Sequence, residues 1–280
     1  MPEPSGPSVV RVRAAGVNFM DVLVRRGDYP QPPELPAVLG GEVAGELDGR
    51  RVMALPRTGG YAEAVAADWV VPLPDGASFA EGAAFLMTFL TAWIPMRRQA
   101  RISAGSTVLV HAGAGGVGSA AIQLARRLGA RVVATAGSEE KRRFTLELGA
   151  EEAYSYEEFG DAVRADVVVD PVGGEVFAAS LRALTPLGTL IAIGYAGGLW
   201  AKLDPALVVG RNAGVAGFYL GRLMQLAPEV VREAADELVG LWADGAIRPV
   251  VGAEFPLAEA AAAHALIEDR RHVGKVVLVP

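Results

Sequence analysis

The chain has 280 residues, a net charge of −6 at pH 7 and no cysteine. The acidic balance and the lack of a basic tract argue against a protein that binds nucleic acid through its phosphates. Without cysteine, disulfides and thiolate zinc ligands are both excluded. Apolar residues make up 51% of the chain, which is enough for one large domain or two smaller ones.

Nothing in the sequence indicates export or membrane insertion. Met1–Pro7 is rich in proline and lacks the apolar run of a signal peptide. No apolar segment reaches membrane-spanning length without a charge, a glycine turn or a proline. We therefore expect a soluble, cytoplasmic protein that does not associate with a membrane.

The first third of the chain is predicted to be rich in β-structure, as a small antiparallel barrel or curled sheet. A short helix is expected after Asp21 and ends near Arg26, where Gly27 follows. The predicted strands are Ser8–Ala15, Val38–Leu47, Arg51–Leu55 and a pair between Gly59 and Val71.

Beyond an alanine-rich helical segment, Phe79–Trp93, strands alternate with helices as far as Phe218. This alternation predicts an α/β fold with a doubly wound parallel sheet. Its predicted strands are Thr107–Ala112, Arg131–Ala136, Asp166–Asp170, Thr189–Gly194 and Ala213–Phe218, and its helices include Glu139–Leu148 and Gly174–Leu184. The closing segment is expected to return to the first lobe, with helices at Pro228–Ala243 and Leu257–Glu268 and strands at Val250–Phe255 and Lys275–Val279.

A glycine turn lies at the centre of this pattern. The apolar strand Thr107–Ala112 leads into Gly113, Gly115 and Gly118, which have the G-x-G-x-x-G spacing, and an amphipathic helix follows. In a βαβ unit such glycines allow a tight turn, a close backbone approach to a pyrophosphate and close packing of helix on strand. Together with Gly116 and Val117 they are predicted to bind a dinucleotide at the helix N-terminus.

The cofactor is predicted to be NADPH. An NAD-binding chain places Asp or Glu at the end of the second strand for the ribose hydroxyl. Here that strand ends without an acid and is followed by Gly137, by Ser138 as a helix N-cap, and by Lys141. A hydroxyl, free N–H groups and a lysine suit the 2′-phosphate of NADP.

Seven short motifs extend over nearly the whole chain. In order they are G-V-N-F-M-D (16–21), L-G-G-E-V-A-G (39–45), G-G-Y-A-E (59–63), F-L-T-A-W (89–93), H-A-G-A-G-G-V-G (111–118), D-P-V-G-G (170–174) and G-K-V-V-L (274–278). Together they resemble the zinc-independent, zeta-crystallin-like quinone oxidoreductases of the medium-chain dehydrogenase/reductase superfamily.

The resemblance implies a GroES-like catalytic domain, here residues 1–91 and 223–280, and a Rossmann NADP-binding domain, residues 92–222. It also implies a cofactor in the cleft between the domains and a homodimer. Relatives have a further strand pair before the equivalent of Ser8, so either the start lies upstream of Met1 or the catalytic domain is trimmed.

The resemblance also bears on metal binding. Zinc-dependent relatives hold the metal through a cysteine and the histidine of a G-H-E motif, and here the matching run is Gly40-Gly41-Glu42. His111, His264 and His272, expected in a strand, a helix and a loop, have no ligand spacing. We therefore predict no metal, with Glu42 as a structural carboxylate.

The implied site residues fall into two sets. Asn18 is the predicted hydrogen-bond donor to the substrate oxygen, and Tyr29 the predicted proton donor beside the nicotinamide. The predicted cofactor-binding set is Thr91, Gly113, Gly115, Gly116, Val117, Gly118, Gly137, Ser138, Lys141, Tyr156, Gly194 and Tyr195, with Lys141 and Tyr156 at the 2′-phosphate.

The predicted activity is NADPH-dependent reduction of quinones. A reductase of enones, 2-alkenals or enoyl thioesters remains an alternative, because hydride addition to a conjugated C=C bond needs the same geometry. A non-catalytic NADPH-binding protein, like some lens crystallins, is the alternative from another class. The fold does not fix the substrate.

Overall fold

The structure is a computed structural model, and it describes residues 8–200 and 202–280. The segment Met1–Pro7, predicted not to be a signal peptide, lies outside the described residues. The chain forms two compact units, Met1–Met87 with Glu237–Pro280, and Thr88–Asp236. The domain limits given above, 1–91 with 223–280 against 92–222, stay a prediction.

The first unit is built on a mixed sheet of seven strands in the order β12-β13-β1-β2-β3-β5, with β4 also paired to β1. Its elements are β1 (Val9–Val17), α1 (Phe19–Arg26), β2 (Val43–Leu47), β3 (Arg50–Leu55), β4 (Ala64–Ala66), β5 (Trp69–Pro72), α2 (Phe79–Gly82), β12 (Val251–Pro256), a 3₁₀ turn (Leu257–Glu259), α11 (Ala260–Glu268) and β13 (Lys275–Val279). The antiparallel pairing of β1 with β13 confirms that the closing segment returns to the first lobe.

The second unit contains a sheet of six parallel strands in the order β11-β10-β9-β6-β7-β8. Its elements, with two helices that extend from one unit into the other, are α3 (Leu86–Arg98), β6 (Thr107–Val110), α4 (Gly116–Arg127), β7 (Arg131–Thr135), α5 (Glu139–Leu148), β8 (Glu152–Tyr154), α6 (Phe159–Ala162), β9 (Ala165–Asp170), α7 (Gly174–Ala183), β10 (Leu184–Ala192), α8 (Pro205–Arg211), β11 (Gly214–Gly217), α9 (Leu220–Leu226) and α10 (Pro228–Ala243). This is the doubly wound arrangement that the alternation predicted. The strand order reverses between β6 and β9, where such sheets bind ligands at the carboxyl ends of their strands.

Two predicted elements are wrong in their extent. The strand predicted at Val38–Leu47 begins only at Val43, because Gly40 has a φ of +101° and its N–H donates to the Asp21 carboxylate instead of a sheet partner. The single helix predicted at Phe79–Trp93 is two helices, α2 and α3. A capping box of Ser78 and Glu81 starts α2, which ends at Gly82 before the chain turns into α3.

Smaller errors occur in the second unit. The strand predicted at Thr107–Ala112 ends at Val110, because Ala112 turns into a left-handed conformation with a φ of +50°. The short strand β8 and the helices α6, α8 and α9 were not predicted. Each spans only three to seven residues, which is too short to show a hydrophobic period.

One helical segment of the described residues, Phe79–Arg98, is long and apolar enough to cross a membrane by length and composition. Of its apolar window, 83% is buried inside the structure. The core helix of a soluble protein meets the same criterion, so the segment is weak evidence for a membrane span.

A pair of glycines tests the packing of the first unit. A Cβ on Gly45, in β2, would overlap the backbone oxygen of Arg11 in β1, whereas a Cβ on Gly240, in α10, meets nothing within 4 Å. We expect Gly45→Ala to destabilise the fold by roughly 1–3 kcal/mol through overpacking. The matched change Gly240→Ala should stabilise it by roughly 0.5–1 kcal/mol, because alanine has the higher helix propensity. Urea unfolding measures both, and equal effects would contradict the packing described.

Candidate active site

The glycine turn connects β6 to α4 in the second unit. Gly115 is the N-cap of α4, which starts at Gly116. A Cβ on Gly118 would overlap the backbone oxygen of Ala112 and lie 2.7 Å from the Cα of Gly113. No other residue fits there without moving the turn, so the helix packs against the strand end as the G-x-G-x-x-G spacing predicted.

The predicted cofactor residues follow neighbouring strand ends. The N–H of Gly113 donates to Thr135 at the end of β7 over 2.9 Å, and that of Ala136 donates to Tyr154 at the end of β8 over 3.1 Å. At the end of β9, Asp170 accepts from Ile193, which follows β10, over 2.9 Å. Because all six strands are parallel, these hydrogen bonds all lie at the same end of the sheet, where the strands have their carboxyl termini.

All predicted cofactor residues except Thr91 lie at this carboxyl end of the sheet. They are Gly113, Gly115, Gly116, Val117 and Gly118 after β6, Gly137, Ser138 and Lys141 after β7, Tyr156 after β8, and Gly194 and Tyr195 after β10. Thr91 is buried in α3 and follows no strand.

The segment after β7 contains three of the residues predicted to bind the cofactor, Gly137, Ser138 and Lys141. The hydroxyl of Ser138 accepts from the N–H of Lys141 over 3.3 Å, so Ser138 caps α5 as predicted. Gly137 is exposed, and a Cβ there would meet nothing within 4 Å. Partial burial lowers the pKa of Lys141, and the adjacent Glu140 opposes this shift. The segment therefore offers a hydroxyl and a lysine where an NAD-binding chain offers a carboxylate.

His111, which was expected in a strand, follows β6 directly and is completely buried. Its Nδ1 lies 2.8 Å from the Thr135 hydroxyl and its Nε2 lies 2.7 Å from the Ser180 hydroxyl. Ser180 donates its own proton to the carbonyl of Val176, so His111 Nε2 is the donor in that pair and Nδ1 accepts. Burial lowers the pKa of His111 to about 3, so this side chain is neutral and serves packing.

Asp170 was not predicted as a site residue, although it opens the D-P-V-G-G motif. Its Oδ1 accepts from the N–H groups of Val172 (2.7 Å) and Gly173 (3.0 Å). Its Oδ2 is buried and has no hydrogen-bond partner among the described residues. Burial raises the pKa of this carboxyl, and the two N–H donors counteract the shift. A buried carboxyl oxygen without a partner therefore lies beside the glycine turn.

The first unit contains a separate buried polar cluster, the triad of Asn18, Glu42 and Lys275. Lys275 Nζ donates to Glu42 Oε2 over 2.5 Å and to Asn18 Oδ1 over 2.9 Å. The other carboxylate oxygen, Glu42 Oε1, accepts from the N–H of Met87 over 2.8 Å. The side chains of Lys275 and Glu42 are only 5% and 0% exposed, whereas Asn18 is half-buried. Glu42 therefore has the structural role predicted for it, because it forms a buried ion pair.

A second polar chain of Asp21, Tyr61 and His264 begins three residues beyond Asn18. Asp21 accepts from the N–H of Asn18 (2.8 Å), the N–H of Gly40 (3.2 Å) and the hydroxyl of Tyr61 (3.1 Å). His264 Nε2 lies 3.1 Å from the same hydroxyl, and burial lowers the pKa of His264. Asp21 therefore anchors the start of α1, where Asn18 is the N-cap.

Lys275 lay in the recognised G-K-V-V-L motif, but the sequence gave no signal for its partners. Tyr61 and Asp21 lay in recognised motifs without an assigned role. Tyr29, the predicted proton donor, is half-buried in the loop after α1. Among residues 8–200 and 202–280, no three His, Asp or Glu side chains form a group suited to a metal ion.

Comparison with known families gives the class of protein first. The family described as "Alcohol dehydrogenase GroES-like domain" matches residues 4–75. The family described as "Zinc-binding dehydrogenase" matches residues 148–278. The chain is thus an oxidoreductase of the medium-chain dehydrogenase/reductase class.

Individual relatives define the family more closely. A quinone oxidoreductase of Pseudomonas aeruginosa is 38% identical over the whole chain, which covers 93% of that protein. The crystal structure of the quinone oxidoreductase from Thermus thermophilus, also solved with NADPH, is 41% identical with a TM-score of 0.93, covering 100% of this chain and 94% of that one. The chain belongs to the quinone oxidoreductase family.

A further relative is part of a much larger protein. One component of the phenolphthiocerol/phthiocerol polyketide synthase of Mycobacterium tuberculosis is 35% identical over 98% of this chain, which covers only 14% of that protein. A sequence similar to nearly the whole of this chain therefore forms a small part of that larger protein.

The buried carboxyl of Asp21 gives a testable pH dependence. Burial raises its pKa from 3.8 to about 6, against the opposing effects of the Asn18 N–H, Lys275, Tyr61 and Gly40. Because the folded state holds the proton more tightly, this group stabilises the fold below about pH 4. That stability is lost as the pH rises through about 6, and the loss amounts to about 3 kcal/mol at most.

Urea unfolding at a series of pH values between about 4 and 7 measures this loss in the wild type. Asp21→Asn should have lower stability at acid pH, because it mispairs one N–H donor, but should lack the decline in that interval. An identical decline in both proteins would assign it to other groups.

Proposed function

We propose that the chain reduces quinones with NADPH and without a metal ion. The observation that carries the proposal is the glycine turn at the carboxyl end of β6. The chain that contains this turn is 41% identical to a quinone oxidoreductase solved with NADPH. The ion pair supports the metal-free proposal, because an ammonium group already neutralises Glu42.

The residues at the carboxyl end of the parallel sheet fit NADPH. A Cβ on Gly118 would overlap the backbone of Ala112, so this glycine lets α4 pack closely against the strand end. The N-terminus of α4 is proposed to bind the pyrophosphate. Ser138, Lys141 and Tyr156 are proposed to hold the 2′-phosphate through charge-assisted hydrogen bonds. Gly194 and Tyr195, which follow β10, and Thr91 are proposed as further contacts with the dinucleotide.

The chemistry is divided between the cofactor and two side chains of the first unit. NADPH, when bound, supplies the hydride. Asn18 is proposed to donate a hydrogen bond to the substrate oxygen on which negative charge develops. Tyr29 is proposed to deliver a proton. Water can replace Tyr29 for a quinone, because the hydroquinone anion is a stable product.

A C=C reductase is the second candidate. The similarity to a polyketide synthase over 98% of this chain favours it, because enoyl reduction is a step that such synthases carry out. Here the proton must reach carbon, so a positioned donor matters more than it does for a quinone.

A substrate panel with Tyr29→Phe distinguishes the candidates. We expect NADPH oxidation with quinones, unaffected by a chelator, to exceed that with enones, and Tyr29→Phe to change quinone reduction little. Tyr219→Phe, which alters another partly exposed tyrosine, is the matched control. Preference for enones, with a loss on Tyr29→Phe alone, would establish the second candidate. NADPH binding without turnover of any acceptor would indicate a non-catalytic binding protein.

Cofactor preference tests the proposed phosphate site. One charge-assisted contact contributes roughly 1.5–3 kcal/mol, so NADPH should bind about tenfold to a hundredfold more tightly than NADH. Lys141→Ala should remove most of this margin and leave NADH affinity unchanged. Arg143→Ala removes an exposed positive charge from the same helix and should preserve the margin. Equal wild-type affinities, measured by titration calorimetry, would contradict the assignment.

We further propose that the protein is a cytoplasmic homodimer. The strand β11 is an edge of the six-stranded sheet, open to antiparallel pairing with its counterpart in a two-fold dimer. Leu187, in β10, and Val209, in α8, both hydrogen-bond to Asn212 shortly before β11 and are 85% and 76% exposed. Two large apolar side chains at an unpaired edge support an interface there.

Light scattering at micromolar concentration tests the dimer. We expect the mass of two chains for the wild type and of one chain for Val209→Asp, because a charge would be buried at the interface. Leu35→Asp, at an 87% exposed position in the first unit, should remain dimeric. A monomeric wild type would refute the proposal.

A further inference from the structure

We propose that Lys275 is a positioning residue for Asn18: its ammonium group fixes the orientation of the Asn18 amide and polarises it as a hydrogen-bond donor. This inference rests on the proposed function, in which Asn18 binds the substrate oxygen. It adds a residue and a mechanism that the sequence did not assign.

The orientation follows from hydrogen-bonding capacity. An ammonium group has donors and no acceptor, so the atom 2.9 Å from Lys275 Nζ is the oxygen of the Asn18 amide. An asparagine side chain is otherwise ambiguous between its oxygen and nitrogen. With Oδ1 held by Lys275, the NH₂ group must point the other way.

That NH₂ group is only weakly engaged within the protein. Its nitrogen lies 3.3 Å from the carbonyl of Gly16 and 3.4 Å from Glu42 Oε2, whereas a normal N–H···O distance is about 2.9–3.0 Å. Glu42 Oε2 already accepts the short bond from Lys275. Because Asn18 is half-buried, a substrate oxygen can replace one of these long contacts.

Because the Lys275–Glu42 ion pair is buried, the free energy lost on desolvating both charges offsets much of their attraction. Two charges removed from water are often no more stabilising than apolar residues of similar volume. The pair also lies against the backbone of β1: a Cβ on Gly16 would lie 2.7 Å from Glu42 Oε2 and 2.9 Å from Lys275 Nζ, and the backbone oxygen of Ala83 is closer still. A role beyond stability accounts for a buried lysine that touches the one half-exposed amide of the cluster.

The consequence for catalysis is electrostatic. The ammonium group withdraws electron density from the amide oxygen, which strengthens the NH₂ group as a donor. A donor fixed in advance loses no energy in reorienting when negative charge develops on the substrate oxygen. Without Lys275, only the two long contacts of the NH₂ group hold the amide in this orientation, so the donor is less firmly placed.

A double-mutant cycle tests this coupling. Lys275→Met should lower kcat for quinone reduction about tenfold to a hundredfold with little change in the KM for NADPH. In an Asn18→Ala background the same change should lower kcat less than twofold, because the two residues act as one unit. Lys202→Met, at an exposed lysine of the other unit, is the control and should leave kcat unchanged. Independent, additive losses in kcat would overturn the proposal.

Lys275→Met leaves Glu42 without its partner, so the variant can fail to fold. Glu42→Gln combined with Lys275→Met removes both charges, and urea unfolding checks that it is folded. This pair should show the same loss in kcat, again absent with Asn18→Ala. Full activity in the folded double variant would also overturn the proposal.

A readout without cofactor or substrate separates the two layers. In the ¹⁵N spectrum of the free protein, Lys275→Met should shift the signals of the Asn18 side-chain NH₂ group, because the ammonium group no longer polarises the amide, whereas Lys202→Met should leave them unchanged. Unchanged Asn18 signals would refute the positioning role. If instead the signals change as expected but Asn18→Ala retains full kcat, the failure lies in the proposed role of Asn18, and the catalytic part of this inference falls with it.

Discussion

The buried ion pair between Glu42 and Lys275 constrains the whole first unit. Lys275 opens β13 and Glu42 directly precedes β2, and both strands pair with β1. The pair therefore spans the central strand and presses against Gly16 within it. Desolvating each ion costs several kcal/mol, so neither residue is replaceable alone. Through Asn18, the same pair reaches the side chain proposed to meet the substrate.

The second unit is constrained by close approach of backbone and not by charge. At Gly118, α4 lies so close to Ala112 that the Cβ of any larger residue would overlap the backbone oxygen of Ala112. The neutral His111 behind this turn links β6 to β7 and α7 through two buried hydroxyls. Burial disfavours the protonated form of His111 and lowers its pKa, so the imidazole carries no charge. The turn is thus held from behind, while the first N–H groups of α4 have no partner within the helix and can bind an anion.

Local patterns gave a large part of this architecture. The glycine spacing, the missing acid after β7 and the Ser138 cap all depend on residues close in sequence, and each could be predicted. The alternation of strands and helices likewise indicated a parallel sheet. Short elements such as β8 escaped prediction because three residues show no period.

Long-range contacts were beyond the sequence. Glu42 and Lys275 are 233 positions apart, and nothing in either motif indicates its partner. The break between α2 and α3 is of the same kind: the N–H of Met87 finds its acceptor in Glu42, which is remote in sequence. Tyr61 and His264, 203 positions apart, were also unlinked until the sheet was formed. Side-chain partners across a mixed sheet are decided by packing and not by local propensity.

The central claim is that this chain is a catalyst that delivers hydride from NADPH to a quinone. The most direct measurement is a single turnover in rapid mixing, with enzyme and NADPH in equal amounts, a quinone in excess and a chelator present. NADPH deuterated at the transferred position provides the isotope test. The account predicts one equivalent of hydroquinone per enzyme, formed more slowly from the deuterated cofactor. Bound NADPH that persists beside the quinone would contradict it.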